Sequence, residues 1–518
     1  MESDVAIPSG QDARSRHGRA ARQRQRTSAS TAIIAGVVRK IPVYEILGEE
    51  GLGQIEAHAD RILQEIGIEF RGDAEALRLW KEAGCEVRGE LVRFAPGHLR
   101  QILRTAPRSF VQHARNPARS VTIGDDSVVF APAYGSPFVS DIEGGRRYGT
   151  LADFEALVKL TYSIPWLHHS GGTICEPVDV PVNKRHLDMV AAHLRYSDKP
   201  FMGSVTAEER AEDSIAMARL AFGAEFADRH CVILGNINVN SPLVYDATMT
   251  NALRAYARAN QCAVIVPFIL GGAMGPVTTP GAIAQSLAET MAGCALAQLV
   301  RPGCPVVFGN FLSSMALRSG SPTFGTPEPA LGSLVVGQLA RRLGLPLRCS
   351  GAFTASKIAD AQAMQESTMS MLAAVQCGAN FILHAAGWLE GGLVIGYEKL
   401  VLDADFCGAL HTWMKGLTLD ENQFAMDAFR EVGPGKHFFG CAHTMANYER
   451  AFWDSDVADN NSFEQWRDAG QSSATERAAV RVKKLLASYE PPPIEPSVEE
   501  ALADYVRRRK SENPDRWY

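Results

Sequence analysis

The sequence has no long apolar run and no close pair of cysteines. No stretch of about eighteen uncharged apolar residues occurs, so we predict that the chain has no membrane partner. The ten cysteines are scattered singly without a CxxC pair, which argues against a secreted disulfide framework and against a sequence-local zinc site. Reduced thiols are therefore expected, and with them a cytoplasmic location.

Sequence signatures of several common classes are also missing. The net charge of −6 lacks the basic excess of most nucleic-acid binders, so we predict no nucleic-acid partner. The GxSxG and HExxH motifs are absent, and the glycine-rich segment 271–275 lacks the GxGxxG spacing of a dinucleotide site. We interpret His168 and His169 as a packed pair. We therefore predict that the chain binds no metal of its own.

The chain does contain a regular alternation of apolar strands and helices. Strand candidates are 167–174, 200–205, 231–239, 262–270, 305–311, 347–353 and 380–385, and helical patterns between them include 208–226, 245–260, 280–299 and 330–343. This alternation favours an α/β fold, and among α/β folds a (β/α)8 TIM barrel over an open sheet. The remaining strand is predicted at 128–131 or near 437–439.

Segments outside this alternation give the predicted domain organisation. Residues 1–30 are rich in arginine and poor in apolar residues, which predicts a disordered basic tail. We predict an N-terminal helical layer at 31–120, the barrel at 121–440 and a C-terminal helical extension at 441–518. In the extension, Ser473 with Glu476 and Ser497 with Glu500 are predicted capping boxes, each opening a charged helix.

The stretch 349–402 reads as strand, helix, strand and a glycine-broken loop, and it carries the best candidates for chemistry. In parallel α/β units the reacting groups lie on the loops after the strands. His384, Trp388 and Glu390 follow the second strand of this stretch, and we predict His384 and Glu390 as catalytic residues. Lys357 follows the first strand, where a lysine could alternatively form a Schiff base with a carbonyl substrate.

Two runs of residues carry a family resemblance. The run DAQAMQESTMSMLAAVQCGANFILHAAGWLEGGLVIGYEKLVLD and the later HFFGCAHTMANYERAFW resemble the trimethylamine methyltransferase family, which demethylates amines onto a corrinoid protein. The resemblance extends from about residue 40 to the end of the chain. It implies a (β/α)8 barrel, a role in one-carbon methyl transfer, a corrinoid-protein partner and a homo-oligomer. No DxHxxG-type signature occurs, so the corrinoid is expected to be carried by the partner.

One departure from the family pattern bears on the substrate. Trimethylamine-using members carry pyrrolysine in the barrel, whereas this chain contains only standard residues. A tertiary amine is a poor methyl donor unless its nitrogen first becomes cationic. A quaternary ammonium is already cationic and leaves as a neutral amine. The resemblance and the missing pyrrolysine together imply a demethylase of quaternary amines, such as glycine betaine.

This interpretation assigns further site residues. Aromatic faces attract a quaternary ammonium, so Tyr134, Phe353, Trp388 and Tyr397 are predicted to bind substrate together with Asn238. Polar or glycine positions at other strand ends are predicted to contact the corrinoid, namely Gly271, Gly272, Asn236 and Asn310. Asparagine also caps turns, and the alternative role for these residues is purely structural.

Three other functions remain open at this point. The chain could use a different methylamine substrate, as other members of the family do. It could be an aldolase-like barrel lyase that uses Lys357. It could also be a barrel that binds a betaine without catalysing any reaction.

Overall fold

The computed structural model describes residues 33–517, and the predicted tail at 1–30 lies outside these residues. The strands are β1 Val37–Val38, β2 Ile68–Arg71, β3 Glu86–Arg88, β4 Leu91–Arg93, β5 Ser109–Gln112, β6 Val121–Gly124, β7 Ser127–Phe130, β8 Phe138–Asp141, β9 Gly145–Tyr148, β10 Phe201–Met202, β11 Ile233–Val239, β12 Val244–Asp246, β13 Cys262–Leu270, β14 Val306–Gly309, β15 Phe311–Ala316, β16 Ser321–Thr323, β17 Leu347–Ser350, β18 Phe381–Leu383, β19 Trp388–Leu389 and β20 Val394–Gly396.

The α-helices are α1 Glu49–Arg61, α2 Ala74–Glu82, α3 His98–Leu103, α4 Leu151–Ser163, α5 Arg185–Tyr196, α6 Glu208–Phe222, α7 Ala224–Arg229, α8 Ala247–Arg258, α9 Thr279–Val300, α10 Pro327–Leu343, α11 Ala361–Gln376, α12 Tyr397–Met414, α13 Glu421–Phe424, α14 Met426–Val432, α15 Ala442–Asn447, α16 Phe463–Asp468, α17 Ala474–Ala487 and α18 Pro496–Glu512. Short π or 3-10 turns occur at Ile62–Ile66, Pro117–Arg119 and Glu390–Gly392.

The fold is α/β and is built around a run of parallel strands in the order β10, β11, β13, β14, β17, β18 and β7. Helices α8 to α11 form the connections between β11 and β18, as the alternating pattern predicts. The predicted strand at 262–270 is confirmed, while β10, β11, β14, β17 and β18 are shorter than predicted at one or both ends. Branched and aromatic side chains form one apolar cluster on a single face of these strands: Val129, Leu234, Val264, Val266, Val307, Phe381 and Leu383.

The two alternatives for the remaining strand are resolved. Ser127–Phe130 pairs in parallel with β18 and forms a hairpin with β6, whereas 437–439 contains no strand. The prediction of a regular strand at 167–174 is wrong, because this segment forms no continuous ladder of β-sheet hydrogen bonds. Its backbone still bonds on both sides: the Phe130 carbonyl accepts from the N–H groups of His168 and His169, and the Ser170 N–H donates to the Pro200 carbonyl.

The N-terminal region contains strands as well as the predicted helices. β2 pairs with β4 and also, in parallel, with β12, which lies between β11 and α8. The helical layer predicted at 31–120 therefore also contains three strands of a four-stranded sheet, and such three- and four-residue strands leave little periodicity to detect.

The C-terminal region packs on the strand–helix body through specific bonds. Ser473 and Glu476 form the predicted capping box at the start of α17. The second predicted box is wrong: α18 begins at Pro496, with Glu495 as its N-cap and no side-chain capping bond. Proline suits the first turn because its missing N–H would be unpaired there in any case. Arg509 of α18 forms an ion pair with Asp213 of α6.

Residues 33–517 contain neither a candidate membrane span nor a candidate metal site. None of the helices in this range is both long and apolar enough to cross a membrane. In the same range, no group of three or more His, Cys, Asp or Glu side chains is placed to hold a metal ion.

Candidate active site

Five rings meet at the carboxyl ends of β14, β17 and β18. Trp388 is central to this aromatic cluster, with ring centroids 4.4 Å from Phe353 and 4.5 Å from His384. Phe311 lies 4.7 Å from Phe353, and Phe324 lies 5.1 Å from the same ring. These distances place the rings in direct contact, and the pairs are stacked, tilted or edge-on.

The loop after β18 owes its shape to unusual backbone conformations. His384 has φ of 60° and Glu390 has φ of 50°, the left-handed region that non-glycine residues rarely adopt. Such strain persists only where surrounding contacts enforce it, and it is concentrated at functional sites. Gly392 is required for another reason, since a Cβ atom there would lie 2.4 Å from the ring of Trp388.

A buried ion pair on α12 stabilises this loop. The Lys399 ammonium lies 2.5 and 2.6 Å from the two carboxylate oxygens of Asp403 and also donates to Ser367 Oγ. Asp403 Oδ2 in turn accepts from the N–H of Gly387, at 2.9 Å. The turn between His384 and Trp388 is thus fixed to α11 and α12 by a charge-assisted network.

The geometry of His384 defines its protonation state. Its Nδ1 accepts a hydrogen bond from the backbone N–H of Tyr134 at 3.2 Å, so the ring proton is on Nε2. Burial lowers the pKa of His384 well below the usual value, and the nearby positive charge of Arg348 lowers it further. His384 is therefore a neutral hydrogen-bond donor within the aromatic cluster and carries no positive charge.

Arg348, which no sequence motif indicated as a site residue, lies next to the cluster. Its side chain is 1% exposed, and Nη1 donates to the Asn310 carbonyl and to Ser350 Oγ, each at 2.8 Å. Its guanidinium carbon is 5.5 Å from the centroid of the Phe311 ring. A charged residue inside the apolar segment LPLRCSG is the signal that could have identified it.

Of the residues predicted to carry the site, His384, Phe353 and Trp388 come together, and Tyr134 adjoins them through its backbone bond. The structure does not bring Glu390 into the cluster, because its carboxylate forms a two-bond ion pair with Arg146 at 2.8 and 3.3 Å. Tyr397 is also elsewhere, and its hydroxyl donates to Asp153 at 2.9 Å.

The predicted cofactor-contact residues occupy two places. The Asn310 amide donates to Ser333 Oγ of α10 at 3.0 Å, and Asn310 lines a small cavity together with Phe311, Phe324 and Phe353 of the cluster. Asn236 donates to exposed Asn238 at 3.1 Å, so the two amides share one face of β11.

Gly271 and Gly272 lie in the loop after β13, at the mouth above these strand ends. Gly271 lines a cavity of about 340 Å³ between this loop and the β15–β16 hairpin. Two apolar side chains at its rim are unusually exposed, Val277 at 70% and Leu317 at 73%. The mouth thus combines backbone that a flat ligand can approach closely with an apolar rim.

Lys357 does not occupy a pocket suited to Schiff-base chemistry. Its side chain is exposed, and its ammonium donates to the Ala355 carbonyl two residues earlier. A catalytic lysine of this type needs an apolar environment that favours the neutral amine.

Comparisons with known proteins identify the family. The model of the trimethylamine methyltransferase family matches residues 15–514. Glycine betaine methyltransferase of Desulfitobacterium hafniense is 39% identical over 473 residues, which cover 91% of this chain and 98% of that protein. Proline betaine:corrinoid methyltransferase of Eubacterium limosum is 26% identical, covering 86% and 94%.

A solved structure, the monomethylamine methyltransferase of Methanosarcina barkeri, aligns with a TM-score of 0.45 at 12% identity. The alignment covers 88% of this chain and 97% of that one. The extent of the family match and the 39% identity across nearly the whole chain carry the assignment. The chain belongs to the trimethylamine methyltransferase family and is a methyltransferase.

Proposed function

We propose that the protein transfers a methyl group from a quaternary amine to the corrinoid of a separate partner protein. The observation that carries the proposal is the aromatic cluster around Trp388, which contains no carboxylate and holds His384 in its neutral form. Aromatic faces attract a quaternary ammonium without a counter-charge, by about 0.5–2 kcal/mol each. The names of the D. hafniense and E. limosum relatives, both betaine methyltransferases, agree with this substrate class.

The proposal includes a closed (β/α)8 barrel. β7 and β10 are the two ends of the parallel run, and the segment 167–171 bonds to both of them. Gly171 continues the pairing by accepting from the N–H of Met202. With this segment as the eighth strand, the aromatic cluster lies at the carboxyl-terminal end of the barrel, where barrel enzymes carry their active sites.

The chemistry favours a donor whose nitrogen is already cationic. The cobalt(I) form of the corrinoid would supply the nucleophile that takes the methyl group. A quaternary ammonium then leaves as a neutral amine, and this chain, which contains only standard residues, has no pyrrolysine to activate a tertiary amine. Glu390 need not protonate the leaving group and can remain paired with Arg146.

The chain's own residues bind the substrate and exclude water. Trp388 and Phe353 supply ring faces for the methylammonium group, and Tyr134 forms the adjacent wall through its contact with His384. The rings touch each other, so substrate entry must separate them. Nε2–H of His384 is then available to donate to a polar group of the substrate.

The mouth supplies the surface for the corrinoid partner. Gly271 and Gly272 allow a flat macrocycle to approach the backbone, and Asn238 adds an exposed polar group nearby. The exposed Val277 and Leu317 provide apolar area of the kind that protein interfaces cover. These residues fit a docked corrinoid protein, whose corrinoid would face the aromatic cluster.

The test mixes the enzyme with reduced free cobalamin in place of the partner and with a panel of methylated amines. Loss of cobalt(I) absorbance should require a quaternary amine, and trimethylamine should give no reaction. Reaction of trimethylamine with no reaction of any quaternary amine would contradict the proposal. Binding of a quaternary amine without methyl transfer, to cobalamin or to any corrinoid protein, would instead support a non-catalytic barrel.

A further inference from the structure

Arg348 is a buried positive charge with no negative partner. Among residues 33–517 it forms no ion pair: Nη1 bonds only to a carbonyl and a hydroxyl, and Nε has no partner. Burying an uncompensated charge is unfavourable, so buried arginines are normally paired with carboxylates. The cationic state nevertheless persists at neutral pH, because burial lowers the pKa of Arg348 only to about 10.

The register of the strands shows which way Arg348 faces. Arg348 aligns with Phe381 of β18, which aligns in turn with Val129 of β7. Neighbours in register share one face of a sheet, and both Phe381 and Val129 belong to the inner apolar cluster. The guanidinium therefore lies on the inner face, beneath the rings that follow the same strands.

A ligand in the aromatic cluster would be close to this charge. Phe311 is the link between them, since its ring contacts both the Arg348 guanidinium and the rings of Phe353 and Trp388. Ser350, which accepts from Arg348, lines a small cavity of about 30 Å³ together with Phe311 and Phe353. Arg348 thus lies one side chain away from the place proposed for the methylammonium group.

We propose that Arg348 binds the carboxylate of the substrate and restricts the enzyme to N-methylated amino acids. The assignment rests on the proposed function, because it takes the aromatic cluster as the ammonium site. A guanidinium matches a carboxylate with two parallel hydrogen bonds, and the ionised pair is stronger than neutral hydrogen bonds. The substrate would supply the counter-charge that the chain itself does not.

The same charge excludes other quaternary amines. A cation that lacks a carboxylate would place its positive charge close to Arg348 in a site of low dielectric constant, where repulsion is strong. A betaine carries both charges and is neutral as a whole. The aromatic cluster and Arg348 together select a zwitterion in a way that neither could alone.

Glycine betaine and choline are the matched probes, since they share the trimethylammonium group and differ by a carboxylate in place of a hydroxymethyl group. Binding of each is measured calorimetrically on the full chain without any corrinoid. The variants are Arg348→Met, which keeps an unbranched apolar stem without the guanidinium, and Arg348→Lys, which keeps the charge. The control is Arg342→Met, on the outer side of α10, where Arg342 pairs with Glu49 and Glu56.

Arg348→Met should weaken glycine betaine binding roughly 10- to 100-fold. It should leave choline binding unchanged or stronger, because the repulsive charge is gone. Arg348→Lys should be intermediate for glycine betaine, and Arg342→Met should match the wild type for both. An equal loss of affinity for both probes would mean that Arg348 only supports the fold, and no loss for either would also overturn the assignment.

Two outcomes separate this assignment from the proposed function. If the wild type transfers a methyl group from choline and does not bind glycine betaine, the function stands and the role of Arg348 is wrong. If glycine betaine binds through Arg348 and no methyl is transferred, the assignment stands and the function is wrong. Should Arg348→Met fail to fold, the preference of the wild type and of Arg348→Lys between the two probes decides the question.

Discussion

Two buried arginines, Arg254 and Arg348, differ in the charge of the groups that they contact. Arg254 on α8 is 4% exposed and is bonded to the carboxylate of Asp73 and to Asn251 Oδ1. Arg348 on β17 is at least as deeply buried but contacts only neutral oxygens. The first charge is balanced within the chain, where it ties α8 to the N-terminal region.

The difference separates a structural charge from one available to a ligand. A buried ion pair is balanced before any ligand arrives, and removing one member leaves the other uncompensated. A buried charge without a partner lowers stability until something else balances it. The position of Arg348 beside the aromatic cluster makes the substrate the natural source of that balance.

The largest effect is expected from unbalancing Arg254. Asp73→Asn removes the buried carboxylate and leaves only the partly exposed Glu75, 3.3 Å from Arg254 Nε, so it should lower the free energy of unfolding by about 3 kcal/mol. Asparagine can still cap α2, as Asp73 does through its bond to the Ala76 N–H, so loss of the cap does not account for the change. Urea denaturation followed by circular dichroism measures it.

Arg348→Met is the counterpart of that variant. It should change the free energy of unfolding by no more than about 1 kcal/mol, since the lost hydrogen bonds are offset by removal of a buried charge. If Arg348→Met were as destabilising as Asp73→Asn, Arg348 would be a structural charge like Arg254.

An intermediate effect is expected from giving Arg348 a partner within the chain. Ser350→Asp places a carboxylate where the Ser350 hydroxyl now accepts from Nη1. This internal carboxylate should compete with the substrate and weaken glycine betaine binding by roughly 10- to 100-fold, measured by calorimetry. Ser350→Asn adds similar bulk without charge and serves as the control. Equal losses in both variants would attribute the effect to size.

The smallest effect concerns pH. His384 has a folded-state pKa well below the 6.5 expected in the unfolded chain, owing to burial and to Arg348. As the pH falls below about 6.5, the unfolded chain therefore binds a proton that the folded protein does not, and stability is lost. One such group contributes at most about 1.4 kcal/mol per pH unit.

His384→Phe keeps a ring in the cluster and removes this titration. Denaturation at pH 7 and at pH 5 should show a smaller loss of stability on acidification in the variant than in the wild type. Other buried histidines titrate in both proteins, so the difference between the two slopes is the quantity that tests His384. Identical slopes would mean that His384 titrates normally and is not held neutral.

The sequence predicted the fold where periodicity was strong. β13 is a nine-residue apolar run flanked by helical patterns, and its bounds match the prediction. The segment 167–174 does lie between β7 and β10, but it does not form the regular strand that was predicted. Its pattern contains two adjacent histidines and two adjacent glycines, and the sequence does not reveal that the histidines replace part of a ladder.

The site was predictable where its residues are close together in the chain. His384 and Trp388 lie in the loop that follows β18, and Phe353 lies in the loop that follows the preceding parallel strand, β17. Phe324 was missed because it reaches the cluster from the β15–β16 hairpin, far from any predicted strand end. The ion pair of Glu390 with Arg146 could not be predicted, because the two residues are 244 positions apart and such a distant pair leaves no local signal.

The histidines at 168 and 169 have a consequence for strand register. His168 Nδ1 accepts from the N–H of Phe130 at 3.1 Å, and His169 Nε2 donates to Gln112 Oε1 of β5 at 3.1 Å. A ladder made only of backbone groups repeats every two residues, so a slipped strand can still form hydrogen bonds. An imidazole occupies a single position along the chain and makes the correct alignment distinguishable from a slipped one. His168 and His169 thus fix the alignment of the chain where its backbone pairing is sparsest.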